Sequence, residues 1–349
     1  MIDGRFEISE LGQRFAGRYA AFGDEEAWRA HRVADHRIGG SDVARILGVA
    51  PSSWGGQWSL WEERQGLAQD REGPQLERGH KWEPRVIEDY VAMLGLPIIE
   101  GTGSVSVRHP EEPWAVASPD EFAMHFGPKE VGAGAKDLRI DYLEPVPSRL
   151  LTGVEAKTSV LYQAWGEPGE IRSWDAEAAA RIPAYYALQV YWYLEVTGLD
   201  AWDLVVMLPS FRDFFEVKVY RIWRDPRIQS AILKRCKAWR EKHLVRGHAP
   251  ALDGSDVATR HLERTHGTPP DKRRRKGTAE EFELTNQYAE LGHQIEIYKE
   301  ARAVAGNRLR DAIGADYGID FGGGRRVSWY ATKNRGRSLR VTGFTFEEE

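Results

Sequence analysis

Apolar positions recur at helical spacing near the start of the chain. Leu11, Phe15, Tyr19 and Phe22 predict helical structure within residues 1–35. Ile38-Gly39-Gly40-Ser41-Asp42 then opens a second helix, with Ser41 or Asp42 as its cap and Val43, Ile46 and Leu47 as its apolar face. A Trp- and Gly-rich loop, Pro51 to Gly56, leads to an amphipathic run from Trp58 to Arg64. Gly79-His80-Lys81-Trp82-Glu83-Pro84 enters a further apolar stripe, Val86, Ile87, Tyr90, Val91 and Leu94. Proline is tolerated in a first helical turn and not deep inside, which places Glu83 at a helix start or a kink.

From about residue 97 the period changes to two. Ser104 to Val107, Trp114 to Ser118, Leu150 to Lys157, Leu204 to Leu208 and Phe214 to Ile222 read as strands, with a helix from Ala184 to Val196 between the third and fourth. A mixed central β-sheet flanked by helices, an α/β fold, is the architecture this order predicts. Residues 125–148, rich in Gly, Ala, Pro and charge, read as an inserted hairpin or surface loop. Composition shifts near residue 250, which divides the chain into a domain at 1–250 and an appendage at 251–349. The appendage begins with a polar linker ending in Lys272-Arg273-Arg274-Arg275-Lys276. A long helix follows, with Leu284, Tyr288, Leu291, Ile295, Tyr298, Ala305, Leu309 and Ile313 in a stripe that must pack against something. Gly318 to Phe346 alternates like a small sheet with a turn at Gly322-Gly323-Gly324.

The totals narrow the function without naming it. The chain has 349 residues, of which 42% are hydrophobic and 29% charged, and its 13 Trp require a substantial core. The longest apolar stretch, Ala187 to Leu194, is interrupted by Gln189 and too short to span a bilayer, and the charged N-terminus lacks an apolar signal core. A chain that stays in the cytoplasm is expected. Its single cysteine, Cys236, excludes intramolecular disulfides and multi-cysteine zinc sites. A net charge of −5 gives no global basic signature, so nucleic-acid binding would need local patches, with metal ions offsetting an acidic site.

The chemistry concentrates in Ser118-Pro119-Asp120 and Val154-Glu155-Ala156-Lys157. Side chains alternate faces along a strand, so Glu155 and Lys157 point the same way. Asp120 follows an apolar strand and a Ser-Pro turn, which presents a carboxylate at a strand end. Asp120, Glu155 and the carbonyl of Ala156 suit Mg²⁺, a hard oxygen-seeking ion that keeps several waters, with Mn²⁺ as a substitute. Such an ion lowers the pKa of an attacking water and neutralises charge at phosphorus. Lys157 is placed to position that water or stabilise the transition state, and Glu83 to anchor a second ion or its hydration shell. Gln189 is a polar residue on the apolar helix between the strands. Glutamate-any-lysine recurs at Glu216-Val217-Lys218, where a half-exposed strand is better explained by a cross-strand surface charge pair. His243 and His248, like His261 and His266, are five apart in polar surroundings and read as solvated side chains. Trp54 and Trp58 serve either to stack on frayed bases or, for at least one of them, to anchor the loop. The basic run at 272–276 serves equally as a DNA-backbone track or a solvated linker.

In this order, these motifs resemble the PD-(D/E)xK nuclease superfamily with its restriction-endonuclease-like core. More narrowly they resemble the YqaJ-type phage recombination nucleases related to lambda exonuclease. The resemblance runs from about Trp28 to Arg224. Trp28 with Arg32, the Ile38–Asp42 phrase with Ile46-Leu47-Gly48, Gly79 with Glu83-Pro84, the Asp120 and Glu155-Ala156-Lys157 motifs, and Tyr185 to Gly198 carry it. It implies Mg²⁺-dependent 5′-to-3′ digestion of linear duplex DNA ends, leaving 3′ single strands for an annealing protein in phage-type recombination. It also implies that Arg32 and Ser41 grip the terminal 5′-phosphate, and that such proteins form rings around DNA. An arginine fork and a hydroxyl at a helix start together make a sound anion site. Two departures are visible: Tyr191 stands where the family often has a second glutamine, and the interval from Asp120 to Glu155 is longer than usual. An endonuclease of restriction or defence type using the same site, and a non-catalytic DNA-end-binding protein, are the alternatives.

Overall fold

The computed structural model describes residues 11, 13–22, 24–66, 74–94, 105–126, 143–144, 146, 149–210, 214–267, 274–322, 325–331 and 336–342. The chain separates into two compact units, residues 1–267 and 268–349.

The first unit begins differently from its periodicity. Leu11 and Phe15 are buried as expected, but Gly17, at φ +71°, ends the helical turn, and Tyr19–Ala21 forms strand β1. β1 pairs antiparallel with β2 (Val105–Arg108), which pairs in turn with β3 (Val116–Ala117). Between β1 and β2 lie helices α1 (Glu25–Val33), α2 (Gly40–Ile46), α3 (Gln57–Arg64) and α4 (Pro74–Leu94). Two expectations there are corrected. The cap of α2 is Gly39, and Asp42, one turn in, accepts the Gly39 N–H at 2.9 Å while receiving Arg64 at 2.5 Å. Helix α4 does not start at Glu83 but begins at Pro74 and continues through Pro84, whose side chain is exposed.

The central sheet has five strands in the order β4 (Glu121–His125), β5 (Leu150–Thr158), β7 (Ala201–Ser210), β8 (Phe214–Trp223) and β6 (Gly169–Ile171). Pairing is antiparallel for β4 with β5 and for β7 with β8, and parallel for β5 with β7 and for β6 with β8. After β6 come the short helix α5 (Ala176–Arg181) and then α6 (Ala184–Thr197), a crossover linking the parallel pair β5 and β7. Helix α6 is apolar on nearly every side, as a helix enclosed by a core must be, and ends on Gly198 at φ +71°. It packs on one face of the sheet with Trp192, Leu194, Trp202 and Leu204 in the larger cluster. Helix α4 covers the other face through Val86, Ile87 and Tyr90 against Val154, Ala156 and Val205. Helices α7 (Pro226–Arg240) and α8 (Asp256–His266) complete this unit. Most of the 125–148 segment lies outside the described residues.

Several polar side chains are more buried than their sequence context indicated. Lys218 is not a surface charge: it is buried under the segment between β5 and β6, its ammonium donating to the Gly166 carbonyl at 3.1 Å and lying 4.9 Å from the Tyr162 ring centroid. His243 is buried too, its Nδ1 2.6 Å from the His248 carbonyl, in a π-helical turn after α7. His261 pairs with the buried Glu62 rather than with solvent. Beneath α4, Asp203 accepts two bonds from Arg221 (2.8 and 2.9 Å) and one from the Tyr90 hydroxyl (2.6 Å), with His125 Nε2 3.1 Å away. All four side chains are buried. Burial opposes its charge, but the Arg221 guanidinium overrides this and holds the Asp203 carboxyl far below the usual carboxylate range.

The second unit consists of α9 (Ala279–Ile313) and an antiparallel sheet in the order β11 (Arg337–Thr342), β10 (Arg326–Ala331), β9 (Gly318–Asp320). Thr278 and Glu281 form a capping box at the start of α9. Of the expected stripe, Ile313 is buried and Leu309 half-buried, while Leu284, Tyr288, Leu291, Ile295 and Tyr298 stay exposed. Of the expected glycine turn, Gly323 and Gly324 lie outside the described residues. No helix among the described residues is long and apolar enough to cross a membrane.

Arg221→Met strands the Asp203 charge in the core. A loss of about 3–5 kcal/mol is expected in urea unfolding at neutral pH. Because the folded-state pKa of Asp203 is depressed, the wild-type advantage is present above about pH 4 and is lost progressively as pH falls below it.

Candidate active site

Strand β5 carries the site, and the end of β4 opens it. The last ladder contact before the strands part is the Asp120 N–H donating to the Val154 carbonyl at 3.2 Å. Backbone groups alternate sides along a strand, so the N–H and carbonyl of Ala156 face the same edge, beyond the start of β4 at Glu121. The Asp120 carboxylate fills that gap by accepting the Ala156 N–H at 2.7 Å. Asp120 is thus tied to the strand bearing Glu155 and Lys157, as the motif order required.

Glu155 points to the α6 face and is 2% exposed. Its Oε1 accepts both the Lys157 ammonium and the Gln189 amide, the latter at 2.5 Å. Its Oε2 is buried with no hydrogen-bond partner among the described residues. Gln189 also donates to the Tyr193 hydroxyl at 3.0 Å, one turn along α6. Lys157 lies 5.5 Å from the Tyr186 ring centroid, on the same helix. Tyr186 and Tyr193 were not singled out from sequence, although their spacing of three and four residues from Gln189 sets all three on one helical face.

Burial first, then the Asp120 charge, pushes the Glu155 carboxyl up to about 8. The same two causes push Glu83 up to about 7. Glu83 approaches from α4, which packs on the opposite face, yet it feels both Asp120 and Lys157. Burial disfavours the Lys157 ammonium, but Glu155, Asp120 and Tyr186 outweigh it and hold the proton above the ordinary lysine range. Three carboxylates around one ammonium leave a site that is short of positive charge.

Among the described residues no three His, Cys, Asp or Glu side chains converge tightly enough to enclose an ion. The donor set nevertheless fits a hard divalent cation. It supplies a buried carboxylate oxygen without a partner, carboxyls that repel one another, and an Ala156 carbonyl on an open strand edge.

The N-terminus of α2 is held against this site by a glycine. A Cβ on Gly40 would fall 2.4 Å from the Tyr193 ring and 2.9 Å from Gln189 Cγ, so only glycine permits this approach. Ser41, half-buried, follows in the first turn of α2. Arg32 lies in α1, its side chain outside the described residues. Trp54 packs edge-on against Tyr185 and Tyr186, at 5.0 and 5.6 Å between ring centroids, and Trp58 against His261 at 4.8 Å.

Residues 27–200 match the sequence profile of the YqaJ-like viral recombinase domain, an interval that includes Asp120, Glu155, Lys157 and Gln189. The chain carries a YqaJ-like viral recombinase domain. It is similar to the uncharacterized protein YqaJ of Bacillus subtilis (strain 168), with 25% identity over 304 residues, 84% of this chain and 79% of that protein. Its fold is similar to two crystal structures of the alkaline exonuclease LHK-Exo of Laribacter hongkongensis, one in complex with dAMP. Both are 18% identical and cover 69% of this chain and 97% of theirs, with TM-scores of 0.44 and 0.43. In this YqaJ-like domain Asp120 immediately precedes β4, Glu155 and Lys157 sit on β5 and the glutamine on α6, with Glu83 from the helix on the other face of the sheet.

Two outcomes follow. Glu155 is harder to ionise folded than unfolded, so the folded wild-type protein loses stability as pH rises from about 4.5 to about 8. In EDTA, Glu155→Gln is expected to gain melting temperature relative to wild type across that interval, with a constant difference above it. Gly40→Ala must displace α2 or Gln189. It is expected to reduce any turnover about 100-fold while the fold, checked by far-UV circular dichroism, persists.

Proposed function

We propose that this YqaJ-like domain is a Mg²⁺-dependent DNA exonuclease that degrades linear duplex ends, 5′ to 3′, leaving 3′ single strands for phage-type recombination. The observation that carries the reading is Glu155, a buried carboxylate with one oxygen held by Lys157 and Gln189 and the other without a partner among the described residues. A stable fold has no need of such a group; a site for a cation and a phosphodiester does.

Asp120, Glu155 and the Ala156 carbonyl would hold Mg²⁺ (or Mn²⁺), and Glu83 a second ion or its waters. Bound there, the ion supplies charge neutralisation at phosphorus and an acidified water. The remaining work falls to the chain itself. Gln189 fixes the rotamer of Glu155, and Tyr193 fixes Gln189. Lys157, protonated across the working pH range, places its ammonium beside Glu155, where it orients the attacking water or stabilises charge on the phosphoryl oxygens. Helix α6 and the cluster behind it keep bulk water from this face. Asp120 keeps the strand end open by occupying the Ala156 N–H.

Arg32 and Ser41 are assigned to the 5′-phosphate of the strand being degraded. Gly40 brings the start of α2 beside Gln189, which supports the role for Ser41. Work on duplex ends suggests a bacterial cytoplasm, in a phage or prophage setting, with an annealing protein as partner.

The deciding experiment digests end-labelled linear duplex DNA and relaxed closed circles, in Mg²⁺ and in EDTA, with wild type and Lys157→Ala. Metal-dependent loss of the 5′-phosphorylated strand of the linear substrate, with circles intact, is expected. The variant should fall by about 100- to 1000-fold. Cut circles would reassign the site to an endonuclease, and binding without cleavage in either metal would leave an end-binding protein.

A further inference from the structure

The turn that joins α1 to α2 is held in a backbone conformation its residues do not favour. Asp35 and His36, at φ +53° and +54°, are the only non-glycine residues in the left-handed region among the described residues. There the Cβ crowds the following carbonyl oxygen, so two such residues in succession persist only where their surroundings hold them. Glycine, which is free of that crowding, stands at neither position. Ile38, two residues on, is fixed independently: its N–H donates to the Trp114 carbonyl at 2.9 Å, and its carbonyl accepts the Val116 N–H at 3.0 Å.

One side chain supplies the hold. Arg240, the last residue of α7, donates through Nε to the His36 carbonyl and through Nη2 to the Asp35 carbonyl, both at 2.9 Å. A planar guanidinium fork thus fixes the carbonyls of both strained residues at once, which a lysine ammonium on its flexible stem would not. The guanidinium also lies 5.3 Å from the Trp114 ring centroid. The Trp114 indole donates to Glu112 at 2.6 Å, and Glu112 pairs with Lys237 of α7. On the α1 side, Arg37 donates to the His31 carbonyl at 2.6 Å and to the Asp35 carboxylate at 3.0 Å. The turn is tied to α1 by Arg37, to α7 by Arg240 and to β3 through Ile38.

We propose that Arg240 is a positioning residue for recognition of the terminal phosphate: it locks the Asp35–His36 turn and so sets the reach from Arg32 to Ser41. This rests on the assignment of those two residues to the 5′-phosphate. Arg32 stands in the last turn of α1, three residues before Asp35, and Ser41 in the first turn of α2, five residues after His36. With the clamp gone, the strained pair relaxes toward right-handed or extended backbone. That redirects α1 against a start of α2 that Ile38 and the close approach at Gly40 keep in place. A site that grips one anion from two sides needs both groups to arrive together, so misdirecting one costs affinity for the phosphate specifically.

The test measures binding of a short blunt duplex, 5′-phosphorylated or 5′-hydroxyl, to the full chain in EDTA, where no metal-dependent turnover intervenes. Wild type is expected to prefer the phosphorylated end. In Arg240→Ala that preference should fall about 10- to 100-fold, the worth of one charge-assisted hydrogen bond. A backbone that accepts the turn freely should make the clamp dispensable. Adding Asp35→Asn, which keeps an acceptor for Arg37, together with His36→Gly is expected to return the preference to within about threefold of wild type. Far-UV circular dichroism and thermal melting check that each variant is folded. A preference unchanged in Arg240→Ala, or an equal loss on both kinds of end, would overturn the proposal. So would a loss that the added substitutions do not recover, since Arg240 would then meet the phosphate itself. A wild type that does not prefer the phosphorylated end removes the assignment of Arg32 and Ser41, and this proposal with it.

Discussion

Glu155 sets the terms for the rest of the site. A carboxylate taken out of water must be paired, hydrogen-bonded or neutralised, and Glu155 meets that demand on one oxygen only. Lys157 supplies the countercharge from two residues along the same strand, where alternation ensures that both point toward α6. Gln189 supplies the neutral donor and is itself braced by Tyr193. Gly40 removes the one carbon atom that would keep α2 from closing over these two side chains. Each of these residues is intelligible as support for a charge that the fold alone would not retain.

The sheet shows why the site lies where it does. Its inner strands are covered on both faces, and only at the β4 edge does the ladder end early enough to release a backbone carbonyl and admit a side-chain carboxylate. Asp120 therefore serves two purposes: it completes the hydrogen bonding of β5, and it raises the proton affinity of its neighbours. The Asp203–Arg221 pair beneath α4 illustrates the opposite regime. There a buried carboxylate is fully engaged by a guanidinium, a phenol and a histidine, and its pKa falls instead of rising. Burial is common to both sites; the supply of donors separates a carboxylate held ionised from one that binds its proton more tightly.

The two units carry different kinds of unmet demand. In the first it is charge, gathered at a strand end by a buried core. In the second it is apolar surface, set out along a helix whose charges divide into two halves of opposite sign.

Much of this was legible in the order of residues. The alternation at 150–157 and 204–222, the helix at 184–196 and the motifs at Asp120, Glu155 and Lys157 rest on local periodicity and side-chain chemistry, which act within a single element and are written there. Tertiary structure decided whatever depends on neighbours distant in the chain. Lys218 looked like a surface residue because its strand alternates, and it is buried because Tyr162 and Gly166, from the segment after β5, lie over it. Tyr19 kept helical spacing yet became a strand residue, since Gly17 ends the turn and β2 offers a ladder. Glu83 reaches the Asp120 charge from the far face of the sheet, across an interval no spacing rule bridges. Gly40 acquired its meaning only when Tyr193, more than 150 residues away, came within van der Waals reach. The sequence by itself determined which groups were available and which local form each segment took. Only the packing of distant elements decided which of those groups would meet, and how much water would remain between them.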